Sequence, residues 1–171
     1  MSDTTSLPDA EALCAQLVRE LKARLPADAG MIGIATGGAW LAERLHAMLG
    51  LEQSLGLMDI AFYRDDYNKE GLKHDPKRTK IPFDVEGRDL LLVDDVLYTG
   101  RTVRAAMNEL FDYGRPASIT LVVLADRGGR QLPIAAQYCG AKVDVPGGMR
   151  LRLMREANGK LALALEKQNA A

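Results

Sequence analysis

The chain has 171 residues, of which 47% are hydrophobic and 26% charged, and its net charge is -1. This length predicts a single domain over residues 1–171, and the composition is typical of a globular protein in water. The balanced charge gives no overall electrostatic reason to bind nucleic acid or anionic lipid. No apolar run approaches the roughly 18 residues of a membrane span, and we expect no secretory signal. The two cysteines lack CxxC spacing, so we expect free thiols in a cytoplasmic protein.

The first half of the chain alternates helix and strand patterns. Leucines recur every four residues before Pro26, which predicts a first helix capped by Ser6 or Asp9. Three further elements are predicted there: a buried strand at 31–35, a helix at about 40–49 and a strand at 55–63. The charged stretch 64–82 has no such periodicity. A long loop of this kind is usually functional or mobile.

The second half reads as strand, helix, strand and hairpin. The segment "RDLLLVDD" is apolar on both faces, which predicts a central parallel strand. A helix from about residue 99 to Gly114 and a buried strand at 117–126 follow it. Near the end, Asn158-Gly159 separates two alternating runs, a strong sign of a β-hairpin. This order of elements predicts an α/β fold with a mostly parallel central sheet flanked by helices.

Three polar segments each follow a predicted buried strand. They are Thr36–Gly38, Asp94–Thr102 and Asp126–Gly129. Ligands of parallel sheets bind beyond the carboxyl ends of the strands. We therefore expect the three segments to share one binding rim.

The segment "LLLVDDVLYTGRTVR" carries the most specific chemistry. Thr99, Gly100 and Thr102 at the start of a helix offer backbone N–H groups and hydroxyls, which suit a phosphate. The glycine patterns of a Walker A loop and of a dinucleotide fingerprint are absent. Asp94 and Asp95, just upstream, suit the vicinal hydroxyls of a ribose or a hydrated Mg²⁺. Together these residues predict a holder for a ribose 5-phosphate.

The stretch "VDDVLYTGRT" resembles the phosphoribosyl-pyrophosphate (PRPP) motif of type I phosphoribosyltransferases. Longer stretches, among them "DYGRPASITLVVLADRGGRQLPI", resemble the PyrR branch of that superfamily, which regulates pyrimidine operons and has uracil phosphoribosyltransferase activity. The resemblance covers roughly residues 30–145. It implies the type I phosphoribosyltransferase fold with a mobile hood loop at about 64–82, to which the predicted C-terminal hairpin is added.

The resemblance also implies an activity and partners. Uracil and PRPP would give UMP and pyrophosphate, with Mg²⁺ held through PRPP and water near the two aspartates and by no direct protein ligand. A homodimer or higher homo-oligomer is expected, together with UMP- or UTP-responsive binding of the leader mRNA of pyrimidine genes. Two alternatives stay open: an RNA-binding attenuation protein with minor catalytic activity, and a phosphoribosyltransferase for another base.

Individual roles follow from the resemblance in the same way. Asp94 and Asp95 would stabilise positive charge on the anomeric carbon, and Arg64 would contact the pyrophosphate. The ribose and the 5-phosphate would be held by Asp94, Asp95, Val96, Leu97, Tyr98, Thr99, Gly100, Arg101 and Thr102. The pyrophosphate loop would be Thr36, Gly37 and Gly38, and base recognition would fall to Asp126 and Arg127.

Two positions depart from the family pattern. Many PyrR sequences have arginine where this chain has Gly37, so one cationic contact to pyrophosphate is either missing or supplied by another residue, such as Arg64 or Arg101. Purine-salvage relatives have a carboxylate where Tyr98 stands, and its absence favours a pyrimidine. The expected RNA-binding face lies away from the active site, with Arg19, Lys22, Arg24 and Arg130 as its basic candidates.

Overall fold

The main sheet is parallel throughout, with the strand order β2-β1-β3-β4-β5. A computed structural model of the protein describes residues 6–60 and 79–169. The strands of this sheet are β1 (Gly30–Ile34), β2 (Gly56–Met58), β3 (Asp89–Leu97), β4 (Ser118–Asp126) and β5 (Tyr138–Lys142). With helices on both faces, the sheet confirms the predicted α/β class.

Within residues 6–60 and 79–169, the helices that flank the sheet are α1 (Ala10–Lys22), α2 (Gly37–Leu49) and α3 (Arg101–Leu110). Asp9 is the N-cap of α1, because its carboxylate accepts hydrogen bonds from the backbone N–H groups of Glu11 and Ala12. That settles the choice between Ser6 and Asp9. The recurring leucines of α1, Leu13, Leu17 and Leu21, are buried as the spacing predicted.

The central strand β3 supplies apolar side chains to both sides of the sheet. Leu91 and Val93 belong to the core cluster that contains α1 and α2. Leu90 and Leu92 belong to the cluster that contains the buried side of α3. Successive strand side chains point to opposite faces, so a continuous apolar run is what a doubly covered strand requires. The predicted central parallel strand is confirmed.

The C-terminal hairpin is confirmed, with a longer turn than the Asn158-Gly159 pair predicted. Strands β6 (Met149–Arg155) and β7 (Leu161–Lys167) are antiparallel, with Arg155 opposite Leu161. The Gly159 N–H bonds to the Glu156 carbonyl, and the Glu156 N–H bonds to the Lys160 carbonyl. Gly159 has φ +86 and Asn158 does not have positive φ. A type I′ turn needs both, so this is a five-residue connection.

A polar clamp ties the hairpin to the helices. One Glu11 carboxylate oxygen accepts the Leu161 N–H at 2.7 Å, and the other pairs with the Arg44 guanidinium. Arg44 also donates to the Gly159 carbonyl at 2.9 Å. We call Glu11, Arg44 and the two hairpin backbone groups the hairpin clamp. It joins α1, α2 and the hairpin turn at one point.

Several boundaries differ from the predictions. Strand β3 continues to Leu97, beyond the predicted end at the two aspartates, and α2 begins at Gly37 instead of residue 40. Helix α3 ends at Leu110, four residues before Gly114. Strand β2 is Gly56–Met58, and the last residues of the predicted 55–63 strand lie outside the described range.

Strand β5 was not predicted. Its sequence, "YCGAK", is short, contains Gly140, and is only partly buried at the edge of the sheet. Neither alternation nor a long apolar run marks such a segment. Cys14 and Cys139 are free thiols, as predicted.

Candidate active site

The three polar segments singled out in the sequence lie along one edge of the sheet. Strand β1 pairs with β3 in parallel, with Gly33 beside Val93. Strand β3 pairs with β4, with Leu97 beside Asp126. Parallel strands end at the same edge, so the segments after β1 and β4 flank the end of β3. We call this edge the rim.

Asp94 and Asp95 lie within β3, at its rim end. Asp94 is the only buried polar or charged side chain among the residues that the structure describes, with 4% of its surface exposed. Its Oδ1 accepts the backbone N–H of Asp95 at 2.9 Å. A carboxylate is buried only where other groups hold it. The strand therefore fixes the position of both acids.

The predicted pyrophosphate loop lies directly against these acids. The Ala35–Thr36 peptide is cis, and Gly37 and Gly38 begin α2. A Cβ on Gly38 would lie 2.7 Å from the Val93 carbonyl oxygen, and one on Gly37 would overlap the Asp95 carboxylate. Gly38 is what lets the start of α2 approach the β3 backbone so closely, and Gly37 leaves room for the Asp95 carboxylate.

The loop between β3 and α3 has the geometry of an anion cradle. Gly100 has φ +92, a left-handed conformation that favours glycine. The Thr99 hydroxyl oxygen accepts the Arg101 N–H at 3.2 Å. The first N–H groups of α3 have no partner within the helix, and they lie at its positive end. Val96 and Leu97 belong to β3, so the loop proper is shorter than predicted.

Residues 131–132 hold this loop in place through backbone hydrogen bonds. Their N–H groups donate to the Thr99 carbonyl oxygen at 2.9 and 3.2 Å. Arg101 Nε donates to Gln131 Oε1 at 2.8 Å. Arg101, proposed from the sequence as a substitute for the missing arginine at position 37, thus has an internal partner.

Asp126 is engaged by its own loop. Its carboxylate accepts the Gly128 N–H at 2.9 Å and an Arg130 N–H at 2.5 Å. Partial burial raises the pKa of Asp126, but the Arg130 and Gly128 contacts outweigh it and hold the pKa below its ordinary value. The Asp126 carboxylate is therefore charged and paired with Arg130.

Arg130 is a rim residue that the sequence did not place there. It also donates to the Tyr98 carbonyl oxygen at 2.6 Å, across the end of β3. Arg24 instead lines a pocket with Gln137, which precedes β5 at the opposite edge of the sheet. Arg130 therefore lies at the rim and Arg24 at the opposite edge of the sheet, and an RNA-binding role for either residue stays a prediction.

A pocket of about 260 Å³ lies beside the Asp126 loop. Its lining is Asp126, Arg127, Gly128, Arg130, Lys142, Val143 and Asp144. Asp126 ends β4 and the next three residues lie in the turn after it, and base recognition was predicted for Asp126 and Arg127. Lys142, Val143 and Asp144 come from β5 and beyond, and the sequence gave no signal for them because β5 itself has no clear pattern.

The acid pair has the donor chemistry that Mg²⁺ prefers, because carboxylate oxygens are hard ligands. Among residues 6–60 and 79–169 there is no group of three or more His, Cys, Asp or Glu side chains that could hold a metal. Arg64 and most of the predicted hood loop lie outside the described residues.

No described helix is long and apolar enough to cross a membrane.

The fold and the rim place the chain in a class of proteins. The phosphoribosyl transferase domain family matches residues 6–144. A hypoxanthine phosphoribosyltransferase from Staphylococcus aureus superimposes with a TM-score of 0.62 at 23% identity, covering 79% of this chain and 73% of that one. An HGPRT-ase from Leishmania tarentolae, solved in complex with GMP, gives a TM-score of 0.63 at 19% identity, covering 82% of this chain and 81% of that one. The fold is that of a type I phosphoribosyltransferase.

More similar relatives narrow the class to one family. The bifunctional protein PyrR of Ralstonia nicotianae is 51% identical over 163 residues, covering 93% of each chain. That of Pseudomonas entomophila is 45% identical over 170 residues, covering 97% of this chain and 96% of the relative. The chain belongs to the PyrR family, as its resemblance predicted.

Proposed function

We propose that this protein is a uracil phosphoribosyltransferase, which converts uracil and PRPP into UMP and pyrophosphate. One observation carries the proposal: the acid pair of β3 has an anion cradle on one side and the Gly37-Gly38 approach on the other. PRPP has the matching order of groups, a 5-phosphate, a dihydroxylated ring and a pyrophosphate. The choice of a pyrimidine as the base rests on membership of the PyrR family.

In this proposal each segment of the rim has one task. Residues 98–102 bind the 5-phosphate through backbone N–H groups and the Thr99 and Thr102 hydroxyls. Asp94 and Asp95 accept hydrogen bonds from the ribose hydroxyls. The segment 36–38 binds pyrophosphate. Arg127 and its pocket receive the base.

The chemical step follows from the charges. As the bond between the anomeric carbon and pyrophosphate breaks, positive charge develops on that carbon, and the fixed carboxylates stabilise it. The bond from uracil N1 to the same carbon forms, and the N1 proton is lost. Asp94 and Asp95 would lie near a Mg²⁺ ion held through PRPP and water, and the chemistry that this ion would supply is neutralisation of charge on the leaving pyrophosphate.

The test is a base panel. The protein is incubated with Mg²⁺ and PRPP and, separately, with uracil, orotate, guanine, hypoxanthine or xanthine, and nucleotide and pyrophosphate are measured. We expect UMP from uracil, none without PRPP, and loss of turnover in excess EDTA. If another base reacts while uracil gives no UMP, the assignment is wrong.

A second role is regulatory, and the relatives' description as bifunctional favours it. Here UMP or UTP promotes binding to the leader mRNA of pyrimidine genes. The basic candidates for the RNA face are Arg19, Lys22, Arg24 and Arg130, of which Arg130 contacts the rim. We expect a gel shift with leader RNA that strengthens with UMP and weakens with salt. No shift at low salt would reject this role.

The protein is further proposed to act in the cytoplasm as a homodimer or higher homo-oligomer. Light scattering after size-exclusion chromatography measures the assembly directly. A mass equal to one 18.6 kDa chain at micromolar concentration would contradict it.

A further inference from the structure

Tyr98 is an exposed side chain held by groups from a different strand. Its residue is 45% exposed, yet the Arg127 guanidinium carbon lies 3.9 Å from the centre of its ring. Arg130 donates to its carbonyl oxygen at 2.6 Å. Both arginines come from the turn after β4. A planar guanidinium that stacks on an aromatic ring is oriented by contact with the face of the ring. Its N–H groups stay available for hydrogen bonds.

Gly129 leaves room for this arrangement. A Cβ on Gly129 would lie 2.5 Å from Tyr98 Cε2 and 3.0 Å from Cδ2. Its neighbour Gly128 also has a left-handed backbone, but a Cβ there would meet nothing within 4 Å. The close approach to the ring is therefore specific to Gly129.

Arg127 has hydrogen-bonding capacity left over. Its Nε is buried without a partner among the described residues, and its Nη1 is 3.5 Å from the Met149 carbonyl oxygen, a long contact. A buried donor without an acceptor is costly, so a bound acceptor at this point would be favoured. Arg127 also lines the 260 Å³ pocket of the rim.

We propose that Tyr98 is a positioning residue for the base site. Its ring holds the Arg127 guanidinium in the orientation in which Arg127 donates to a carbonyl oxygen of the bound base. The role rests on the proposed uracil phosphoribosyltransferase function. It requires an aromatic face and does not require the phenol hydroxyl.

The test compares Tyr98→Phe with Tyr98→Leu. Tyr98→Phe should keep the KM for uracil and the Kd for UMP, measured by calorimetry, within about twofold of the wild type. Tyr98→Leu should raise both by about tenfold, as expected for a lost cation–π contact at a partly desolvated site. The KM for PRPP should stay within about twofold, because the loop backbone is unchanged. Equal behaviour of the two variants, or a rise in the KM for PRPP alone, would overturn the role.

A double mutant separates positioning from packing. If Tyr98 acts through Arg127, Tyr98→Leu should add nothing further to the loss caused by Arg127→Ala. If the fold-losses of the two single variants multiply in the double variant, the ring has its own contact with the base and the proposal is refuted. Tyr113→Leu is the matched control, since Tyr113 is 46% exposed and lies beyond the far end of α3. Its kinetics should equal those of the wild type.

The glycine pair gives a second comparison. Gly129→Ala and Gly128→Ala introduce a similar backbone strain, but only the first pushes on the Tyr98 ring. We expect Gly129→Ala to raise the KM for uracil several-fold more than Gly128→Ala, and equal effects would count against the proposal. If the wild-type protein neither makes nor binds UMP, the proposed function itself fails, a result distinct from any difference among variants.

Discussion

Asp95 lies between the two segments of the rim that we propose bind the 5-phosphate and the pyrophosphate. Its carboxylate fills the space beside Gly37, and its N–H is held by Asp94. A charge so fixed reorganises little when the substrate becomes cationic, which is the condition for strong electrostatic stabilisation of a transition state. Under the proposed function, the fixed position of Asp95 would affect the rate more than substrate binding.

We expect Asp95→Asn to lower kcat on the order of 100-fold while the KM for PRPP changes much less. The amide keeps the shape and the hydrogen bonds to ribose but loses the negative charge. Steady-state kinetics with varied PRPP measure both constants. Asp112→Asn, an exposed aspartate after α3, controls for the loss of one charge. A raised KM with unchanged kcat would assign Asp95 to ground-state binding alone.

Gly37→Ala tests the close approach of α2 to β3. Alanine is the better helix former by about 1 kcal/mol, so thermal stability has no helix-propensity reason to fall. Its methyl group would displace the Asp95 carboxylate, and we expect kcat to fall on the order of 100-fold. Gly147→Ala, where a Cβ meets nothing, should leave kcat unchanged. Full activity of Gly37→Ala would show that Asp95 tolerates displacement.

At the scale of elements, the hairpin clamp makes part of the stability depend on pH. Partial burial raises the pKa of Glu11, but the Leu161 N–H and the Arg44 guanidinium outweigh it, so the pKa lies below its ordinary value of 4.5. A carboxylate with a lowered folded-state pKa contributes stability above pH 4.5, and that contribution is lost as the pH falls through the lower folded-state value.

Glu11→Gln should therefore lower the Tm at pH 7 and narrow its difference from the wild type as the pH falls below 4.5. Thermal denaturation at a series of pH values measures this difference. Glu20→Gln is the control on the same helix, since Glu20 is exposed and contacts only Gln16 among the described groups. A constant difference between wild type and Glu11→Gln at all pH values would show that the Glu11 charge is not responsible.

Most elements were predictable because their patterns are local. The leucine spacing of α1 and the apolar run of β3 each follow from one geometric period. Strand β5 was missed because an edge strand with a glycine obeys neither period. The continuation of β3 to Leu97 was also missed, since two aspartates ordinarily end a strand. The structure shows that Asp94 and Asp95 stay in the strand because Gly37 and Gly38 leave room beside them.

The site was predictable to the extent that its residues are neighbours in sequence. The acid pair and the phosphate loop lie within nine residues of each other and have a recognisable order. Contacts between distant segments were not predictable, notably Arg130 on the Tyr98 carbonyl and Lys142 beside Arg127. Such contacts depend on which turn folds over which strand, and this can be seen only in the three-dimensional structure.

At the scale of the whole molecule, the hairpin shares the core of the sheet. Leu153 and Leu161 are buried in the cluster of α1 and α2, and Leu151 is buried with Ala125 and Val143. The clamp adds polar contacts at the turn. We propose that residues 1–171 form a single domain that unfolds as one cooperative unit.

Calorimetry should then show one unfolding transition whose calorimetric and van't Hoff enthalpies agree. Removing residues 147–171 would expose the sheet and helix surfaces that the three leucines cover, and we expect the shortened chain to lose cooperative folding. Two separate transitions in the full chain, or a stable shortened protein with the same Tm, would show that the hairpin is an independent unit.

Because the acid pair lies on the central strand, different parts of the site should open to solvent at different rates. Strand β3 has a neighbour on each side and a helix layer on each face, so the amide protons of residues 91–94 should exchange with solvent only through global unfolding. The turns at 98–100 and 127–130 have fewer such covers and should exchange by local opening. If these turns bind substrate as proposed, they would open locally while the two carboxylates keep their places on β3.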